Sequence, residues 1–232
     1  MKKQYYIYKY PHPAVAVDCV VFGVVSSCLE ILLIQRRNEP YKDSWALPGG
    51  FLGIDESLEE AVKRELSEEI NYRPEYLYQI GAFGDPDRDP RERVISIAYY
   101  TFLQIEKACL VANSDAAKLE WFYIRNLPNL AFDHLKIVNA ALEILQKKVK
   151  CEPFGYGLLP SKFRLSLLQS IYEDIIGEPL DKRNFRKKLL KYGLVKPLNE
   201  FEKIHPHRPA RLYEFNYENY IKYKEKGIDL TR

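Results

Sequence analysis

Short apolar runs alternate with turn residues through the first half of the chain, a pattern typical of strands and their tight connections. Two runs rich in Val, Ile and Leu, Ala14–Val25 and Leu29–Ile34, are separated by Ser26-Ser27 and predict neighbouring strands. Three further strands are predicted at Leu77–Phe83, Val94–Leu103 and Leu119–Ile124.

Two segments of this half follow the helical period instead. Ser57–Ile70 begins with a serine that can cap the helix, and Glu60 completes the spacing of a capping box. His134–Lys148 has one apolar face and lysines in its last turn, where they favour the helix dipole. Asp133 is the expected N-cap of this second helix. Strands with helices set among and after them predict an α/β fold.

The composition of the sequence changes near residue 150. Pro and Gly residues punctuate positions 153–160 as in a linker, so we predict two domains, 1–150 and 151–232. The second domain shows two helical segments joined by a tight turn and then two extended pieces, the layout of a winged helix-turn-helix. Its predicted elements are Leu165–Ile176, Lys182–Tyr192 with Asp181 as cap and Gly193 at its end, Leu194–Leu198 and Arg211–Phe215.

Composition excludes several classes of protein. The chain has 232 residues, 47% of them hydrophobic, which is enough for a packed core and excludes global disorder. It has no run of about 20 apolar residues, so neither a transmembrane span nor a membrane partner is expected. Its four cysteines lack C-x-x-C spacing, which argues against a zinc site and a disulfide framework. Free thiols in a reducing cytoplasm are the prediction.

The net charge of +3 conceals an uneven distribution. Residues 1–150 hold 19 Lys and Arg against 21 Asp and Glu, a balance of −2, and residues 151–232 hold 16 against 11, a balance of +5. An acidic first part and a basic second part support the two-domain reading and predict an anionic partner for the second.

The first predicted helix, Ser57–Ile70, is rich in glutamate. Three of its carboxylates, those of Glu65, Glu68 and Glu69, lie in the same sector as its core-facing residues. Charged runs are usually solvated faces, but other polar residues already occupy the opposite side of this helix. Inward carboxylates without partners are costly, and a divalent cation held by oxygen ligands removes that cost. The adjacent Arg64 can orient a carboxylate or phosphate, and Gly49 can offer a carbonyl to a metal.

The spacing of this region is similar to the Nudix box. Gly50 is followed after five residues by Glu56 and after seven more by Arg64-Glu65-Leu66-Ser67-Glu68-Glu69, with Asn71 where the family has Gly. The resemblance implies a Nudix α/β/α sandwich with a mixed sheet and hydrolysis of a nucleoside diphosphate linked to another group. It implies metal binding by Glu65 and Glu69 beside Gly49, catalytic roles for Glu56 and Arg64, and Glu68 nearby as a ligand or catalytic base. The implied cofactor is Mg²⁺, with Mn²⁺ as the alternative. The choice of base among the glutamates stays open.

A polar loop before Val94 resembles a segment of ADP-ribose-handling Nudix proteins. The alternative is a plain connection between strands. The expected ligand contacts are Arg36, Arg37, Arg88, Asp89 and Arg91, since arginines can grip phosphates bidentately.

The second helix of the C-terminal domain pairs an apolar stripe with a basic face. The alternative is a solvated lysine face on a small helical domain. The expected DNA contacts are Lys182, Arg183, Asn184, Arg186 and Lys187 on the helix, with Arg208 and Arg211 on the wing.

A Nudix domain followed by a basic winged helix resembles the Nudix-related transcriptional regulators along nearly the whole chain. This resemblance implies a ligand-responsive regulator that binds ADP-ribose, a related small molecule or a sugar effector. It also implies a homodimer on double-stranded, palindromic operator DNA. Many members of that group have a degraded box, whereas this box is intact. A Mg²⁺-dependent hydrolase of the ADP-ribose pyrophosphatase type with an accessory dimerisation domain is therefore the alternative.

Overall fold

The computed structural model describes residues 8–105, 110, 116–202 and 209–231. The strands within these residues are β1 (Ala14–Val25), β2 (Cys28–Arg36), β3 (Trp45–Ala46), β4 (Gly49–Phe51), β5 (Tyr78–Phe83), β6 (Val94–Phe102), β7 (Ala116–Tyr123), β8 (Val195–Glu202) and β9 (Ala210–Phe215). The helices are α1 (Leu58–Ile70), α2 (His134–Cys151), α3 (Leu165–Ile176), α4 (Lys182–Lys191) and α5 (Tyr217–Lys226). None of these helices is both long and apolar enough to cross a bilayer.

The larger sheet is mixed. Its central strand β1 pairs antiparallel with β2 and β4 and parallel with β6, in the order β3-β2-β1-β6-β5, while β7 joins the outer side of β2. Successive residues of β1 point to opposite faces. Val17, Cys19 and Val21 pack in the cluster with α1, whereas Val20 and Phe22 pack in the cluster with α2. The sheet thus lies between helices, as the predicted mixed α/β fold requires.

Local signals placed α1 correctly. Ser57 and Glu60 form the predicted capping box, with the Ser57 N–H donating to the Glu60 carboxylate at 2.8 Å and the Glu60 N–H donating to the Ser57 hydroxyl at 3.3 Å. Asn71 ends the helix in the left-handed conformation, with φ of 54°, which asparagine tolerates better than most residues.

Other expectations need correction. Asp133 stands at the N-cap of α2 but makes no side-chain capping bond, because its carboxylate pairs with Arg88 instead. The segment 153–160 is not an exposed linker, since Phe154, Leu158 and Leu159 lie buried in the core. The pattern also missed β3 and β4, because two- and three-residue strands carry no periodic signal, and it missed the ten-residue helix α5. The cysteines at 19, 28 and 151 are free, as predicted, while Cys109 lies outside the described residues.

The two halves of the chain share one hydrophobic core. Residues of β1, β2 and α2 belong to the same buried cluster as α3, including Ile171 and Ile175. Asp174 of α3 adds polar links, accepting hydrogen bonds from the Leu29 N–H at 2.7 Å and the Tyr123 hydroxyl at 2.8 Å. Arg125 donates at 2.6 Å to the carbonyl of the same residue. The first helix of the C-terminal half is therefore fastened to the large sheet.

Replacing Asp174 with Ala should lower the free energy of unfolding by about 1–3 kcal/mol, because the partly buried N–H of Leu29 loses its acceptor. Denaturant unfolding measures this change. The matched control is Glu178→Ala, which removes an exposed carboxylate just beyond the same helix. Equal effects of the two substitutions would contradict a fastening role for Asp174.

Candidate functional site

The carboxylates of α1 divide into inner and outer positions. Glu69 is buried and Glu65 is half-buried, whereas the side chain of Glu68 is exposed at the rim of the helix. The prediction that the three carboxylates face inward is therefore correct for Glu65 and Glu69, whereas Glu68 lies at the edge of that sector.

The Gly49-Gly50 strand lies directly against these carboxylates. The Gly49 N–H donates to the Glu69 carboxylate at 2.9 Å. A Cβ atom at position 50 would lie 2.3 Å from the Glu65 carboxylate, and one at position 49 would lie 2.1 Å from the Val17 carbonyl. At position 49 the backbone of β1 leaves room for glycine alone, whereas a side chain at position 50 would displace the Glu65 carboxylate.

Arg64 organises the outer part of the cluster. Its guanidinium grips Glu56 through two hydrogen bonds, from Nε at 3.0 Å and from Nη2 at 2.7 Å. It also donates to Glu65 at 2.8 Å, to Glu68 at 3.3 Å and to the Phe51 carbonyl at 3.1 Å. One cation thus faces three carboxylates, and negative charge remains in excess.

The environment shifts the acid strength of two of these groups in opposite directions. Hydrogen bonds from Arg64 and from the Gly53 N–H lower the pKa of Glu56 from 4.5 to about 2. Burial raises the pKa of Glu65, and the hydrogen bond from Arg64 compensates only in part. Glu56 is therefore ionised at neutral pH, while burial opposes the ionisation of Glu65.

The donor set fits a hard divalent cation. Carboxylate oxygens are the ligands that Mg²⁺ and Mn²⁺ prefer, and the carboxylates of Glu65 and Glu69 both lie against the Gly49-Gly50 strand. Among the described residues, no three acidic, histidine or cysteine side chains already converge on one point. Arg64 holds two of the candidate carboxylates, so side-chain rearrangement has to accompany metal binding.

A buried polar network, which no local sequence pattern predicts, lies behind the glycine strand. Asp18, in the middle of β1, accepts hydrogen bonds from Arg88 at 3.3 Å and from the Ser96 hydroxyl at 2.5 Å. Arg88 also donates to Asp133 at 2.7 Å. The signal for this network was a lone carboxylate inside an apolar strand, because a buried charge has to be paired.

His134 completes the network in its neutral form. Its Nδ1 accepts the Leu47 N–H at 2.9 Å, so the proton is on Nε2, which faces Asp18 at 3.4 Å. Burial lowers the pKa of His134, although the negative charge of Asp18 opposes the shift. The imidazole thus fixes the start of α2 against the segment that leads to the glycine strand.

The predicted ligand residues occupy different environments. Arg88 and Asp89 are buried, and Arg88 is directed at Asp18 and Asp133 rather than at the surface. Arg91 is exposed and is held by Asp89. Arg36 donates to the Pro40 carbonyl at 2.9 Å, and the neighbouring Arg37 is exposed.

The predicted basic face lies on α4. The buried residues of this helix are Phe185 and Leu189, and Asp181 caps it by accepting the Asn184 N–H at 2.7 Å. The exposed residues on its other side are Lys182, Arg183, Asn184, Arg186 and Lys187.

The hairpin of β8 and β9 follows α4 as a wing. Arg211 donates to the Leu198 carbonyl at 2.7 Å and to the Asn199 side chain at 3.2 Å, where the pairing register shifts between Pro197 and Phe201. In the structure, Arg211 stabilises the wing through these hydrogen bonds. Arg208 lies outside the described residues.

Comparisons with known proteins agree with this architecture. Residues 12–141 match the Nudix domain, and residues 155–215 match the NrtR DNA-binding winged helix domain. The "ADPR responsive transcriptional repressor NtrR" of Acinetobacter baylyi is 35% identical over 221 residues, covering 94% of this chain and 88% of that protein. The "ADP-ribose pyrophosphatase" of Methanocaldococcus jannaschii is 47% identical over 129 residues, covering 56% of this chain and 73% of that protein.

A solved structure matches nearly the whole chain. It is "Shewanella oneidensis NrtR complexed with a 27mer DNA", with a TM-score of 0.71 and 30% identity, covering 89% of this chain and 95% of that chain. A glutamate-bearing helix on a mixed sheet, followed by a winged helix, defines a two-part Nudix protein. The chain belongs to the Nudix family, and within it to the NrtR group. The predicted fold class and family resemblance are confirmed.

The shifted pKa of Glu56 predicts how stability depends on pH. Because folding lowers this pKa, ionised Glu56 stabilises the fold above about pH 4.5, and the contribution is lost as pH falls toward 2. Glu56→Gln should therefore be less stable than the natural protein at pH 7, and the difference should shrink between pH 4.5 and 2.

Denaturant unfolding across this pH range measures the effect. Glu59→Gln is the matched control, since it removes the same charge from an exposed position of α1. A stability difference for Glu56→Gln that does not change with pH would contradict the ion pair.

Proposed function

We propose that this protein is a ligand-responsive transcriptional regulator. Its Nudix domain binds ADP-ribose or a related nucleoside diphosphate sugar, and its winged helix binds double-stranded operator DNA. The proposal is supported by the names of two relatives, the ADPR-responsive repressor of Acinetobacter and the Shewanella protein solved with DNA. A sugar effector is a second ligand class for the same domain.

The observation that carries the DNA-binding part is the exposed face of α4. The exposed side chains of the helix include five basic or amide groups and Leu190, while Phe185 and Leu189 are buried. Recognition helices of winged-helix proteins present such side chains to the major groove and to phosphates. On the proposed DNA, Lys182, Arg183 and Lys187 contact phosphates, and Asn184 and Arg186 are available for base edges.

The ligand-binding part rests on the carboxylate cluster of α1. Glu65 and Glu69 would hold Mg²⁺, with Glu68 at the rim and the Gly49-Gly50 strand closing the site from the other side. When bound, the cation supplies charge neutralisation for a diphosphate and polarises water. Arg64 keeps Glu56 ionised and orients Glu65, and Arg36, Arg37 and Arg91 offer positive charge to the phosphates.

Regulation requires that the ligand distinguish two states of the protein. A ligand changes operator affinity only when it binds the DNA-competent and DNA-incompetent arrangements with different affinities. A homodimer in the cytoplasm, reading two half-sites related by symmetry, is the expected form of the regulator.

A second candidate function is hydrolysis of the ligand. It is favoured by the complete set of glutamates around Arg64 and by the archaeal relative named as an ADP-ribose pyrophosphatase. Glu69→Gln should abolish Mg²⁺-dependent cleavage of ADP-ribose, because the amide can still accept the Gly49 N–H but cannot donate charge to a metal. Chromatography of the two products, AMP and ribose 5-phosphate, measures this beside Glu59→Gln, and retained turnover would rule out Glu69 as a metal ligand.

Operator binding tests the regulator directly. The protein should shift DNA from the region flanking its own gene in a gel assay, and ADP-ribose should change the fraction bound at fixed protein concentration. DNA of scrambled sequence and equal length is the control. Absence of specific binding at low salt would overturn the regulator and leave the hydrolase.

The basic face of α4 can be tested by its salt dependence. Replacing Arg183 and Lys187 with Ala should weaken binding to all DNA sequences, because two phosphate contacts are lost. The slope of log K against log salt is negative, and it should become shallower by about two units. Lys224→Ala with Lys226→Ala on α5 removes the same charge from another exposed helix and should change the slope little. Equal losses in both double variants would exclude α4 from the interface.

A further inference from the structure

Arg125 of the N-terminal half binds the end of a helix that belongs to the C-terminal half. It follows β7, and its Nη2 donates to the Asp174 carbonyl at 2.6 Å and to the Ile175 carbonyl at 3.3 Å. Its Nε donates to the Asp174 carbonyl at 3.1 Å. The last carbonyls of a helix have no partner within the helix, and the negative end of its dipole favours a cation. Arg125 therefore caps α3 from outside the C-terminal half.

Three further groups of the N-terminal half bind the same turn of α3. The Asp174 carboxylate accepts the Leu29 N–H of β2 at 2.7 Å and the Tyr123 hydroxyl of β7 at 2.8 Å. The side chain of Gln146, on α2, donates to the Ile175 carbonyl at 3.1 Å. We call this last turn of α3, residues 173–176, the junction turn. Its position relative to the sheet is thus set by β2, β7 and α2 together.

The junction turn also holds the residue that precedes the cap of α4. The Glu173 carboxylate accepts the Leu180 N–H at 2.9 Å and the Gln169 side chain at 2.8 Å. Gln169 also donates to the Leu180 carbonyl at 3.2 Å. Leu180 is followed by Asp181, the N-cap of α4. A displacement of the junction turn therefore moves the start of α4 with it.

The connection between the junction turn and α4 has little conformational freedom. Gly177 ends α3 with φ of 86°, in the left-handed region that favours glycine, and the ring of Pro179 restricts its own φ. A Cβ atom at position 177 would lie 2.5 Å from Arg125 Nη2. A side chain there would push the guanidinium away from the helix end, so glycine is what gives Arg125 access to it.

Two paired strands connect Arg125 with the expected ligand site. In the pairing of β2 with β7, Glu30 is opposite Tyr123 and Arg36 is opposite Ala116. Arg36, an expected phosphate contact, therefore lies at one end of the strand pair, and Arg125 follows the other end, about 20 Å away along an extended chain. Close-packed interiors are hardly compressible and transmit strain. A displacement at the Arg36 end is thus carried along the strands to Arg125.

We propose that Arg125 couples ligand binding to operator binding by holding the junction turn against the sheet. This inference rests on the proposed function and names the contact through which the regulation acts. The ligand has to bind two arrangements of the protein with different affinities, and the junction turn makes the position of α4 depend on the arrangement of the sheet. Arg125 lies outside the carboxylate cluster and outside α4, so it acts as a positioning residue.

The test measures operator affinity with and without ADP-ribose. Fluorescence anisotropy with a labelled DNA fragment from the region flanking its own gene gives both dissociation constants of the full-length protein, and calorimetry gives the affinity for ADP-ribose. In the natural protein, ADP-ribose should change the operator dissociation constant at least about fivefold. In Arg125→Ala this change should be less than about twofold, because the two surfaces are no longer linked. The affinities for ligand-free operator binding and for ADP-ribose should each stay close to those of the natural protein.

Arg73→Ala is the matched control for charge. Arg73 is also an exposed arginine of the N-terminal half, so its loss removes the same charge from the field that attracts DNA. The effect of ADP-ribose on operator binding should persist in this variant.

Gly177→Ala tests the same contact while Arg125 is still present. Its methyl group should displace the guanidinium and reduce the effect of ADP-ribose. Gly157→Ala is its control, because Gly157 also has φ of 86° and a Cβ there would meet none of the described residues within 4 Å. Both substitutions strain the backbone, but only the first meets Arg125. Thermal melting confirms that each variant is folded.

The outcomes separate this inference from the proposed function. An undiminished effect of ADP-ribose in Arg125→Ala would overturn the coupling role, as would an equal loss in Arg73→Ala or equal effects of Gly177→Ala and Gly157→Ala. Loss of ligand-free operator binding in Arg125→Ala would also overturn it, because Arg125 would then support the DNA-binding conformation itself. If ADP-ribose leaves operator binding by the natural protein unchanged, the proposed regulation fails and this inference fails with it.

Discussion

A carboxylate buried within an apolar strand is the constraint on which the N-terminal domain depends. Asp18 lies in the central strand β1, where an unpaired charge would cost several kcal/mol, on the order of what removing one partner of a buried pair costs. Arg88 supplies the main compensation and also binds Asp133, while His134 faces the same carboxylate and accepts the Leu47 N–H. One buried charge therefore ties a loop, the start of α2 and the Pro-Gly-Gly segment to the sheet.

Electrostatics then divides the glutamates of the box into separate tasks. Arg64 is shared among Glu56, Glu65 and Glu68, and it holds Glu56 most firmly, as the lowered pKa of that residue reflects. Burial raises the pKa of Glu65, and the Glu69 carboxylate accepts the Gly49 N–H. Part of the excess negative charge of the first half thus lies in the carboxylate cluster of α1. Basic side chains of the second half lie on the exposed face of α4.

The continuous core determines how the two binding surfaces can communicate. Helix α3 packs in the same cluster as α2, and Asp174 bonds it to the sheet. It therefore contacts the N-terminal domain as well as the winged helix. A ligand can affect α4 through α3, where the ring of Tyr172 packs on that of Phe185, and through the segment after α5, where the Ile228 N–H donates to the Cys151 carbonyl and Lys188 donates to the Asp229 carbonyl. Packed cores respond by switching between discrete arrangements rather than by gradual deformation.

The sequence by itself determined what depends on neighbours along the chain. The capping box at Ser57, the bounds of α3 and the cap of α4 at Asp181 were predictable because a few adjacent residues decide them. The spacing of the box identified the family for the same reason. Only the tertiary structure showed that Arg88 pairs with Asp18 and Asp133, residues 70 and 45 positions away, rather than lining the surface. Burial and long-range pairing depend on how strands are ordered in the sheet, and no local pattern encodes that order.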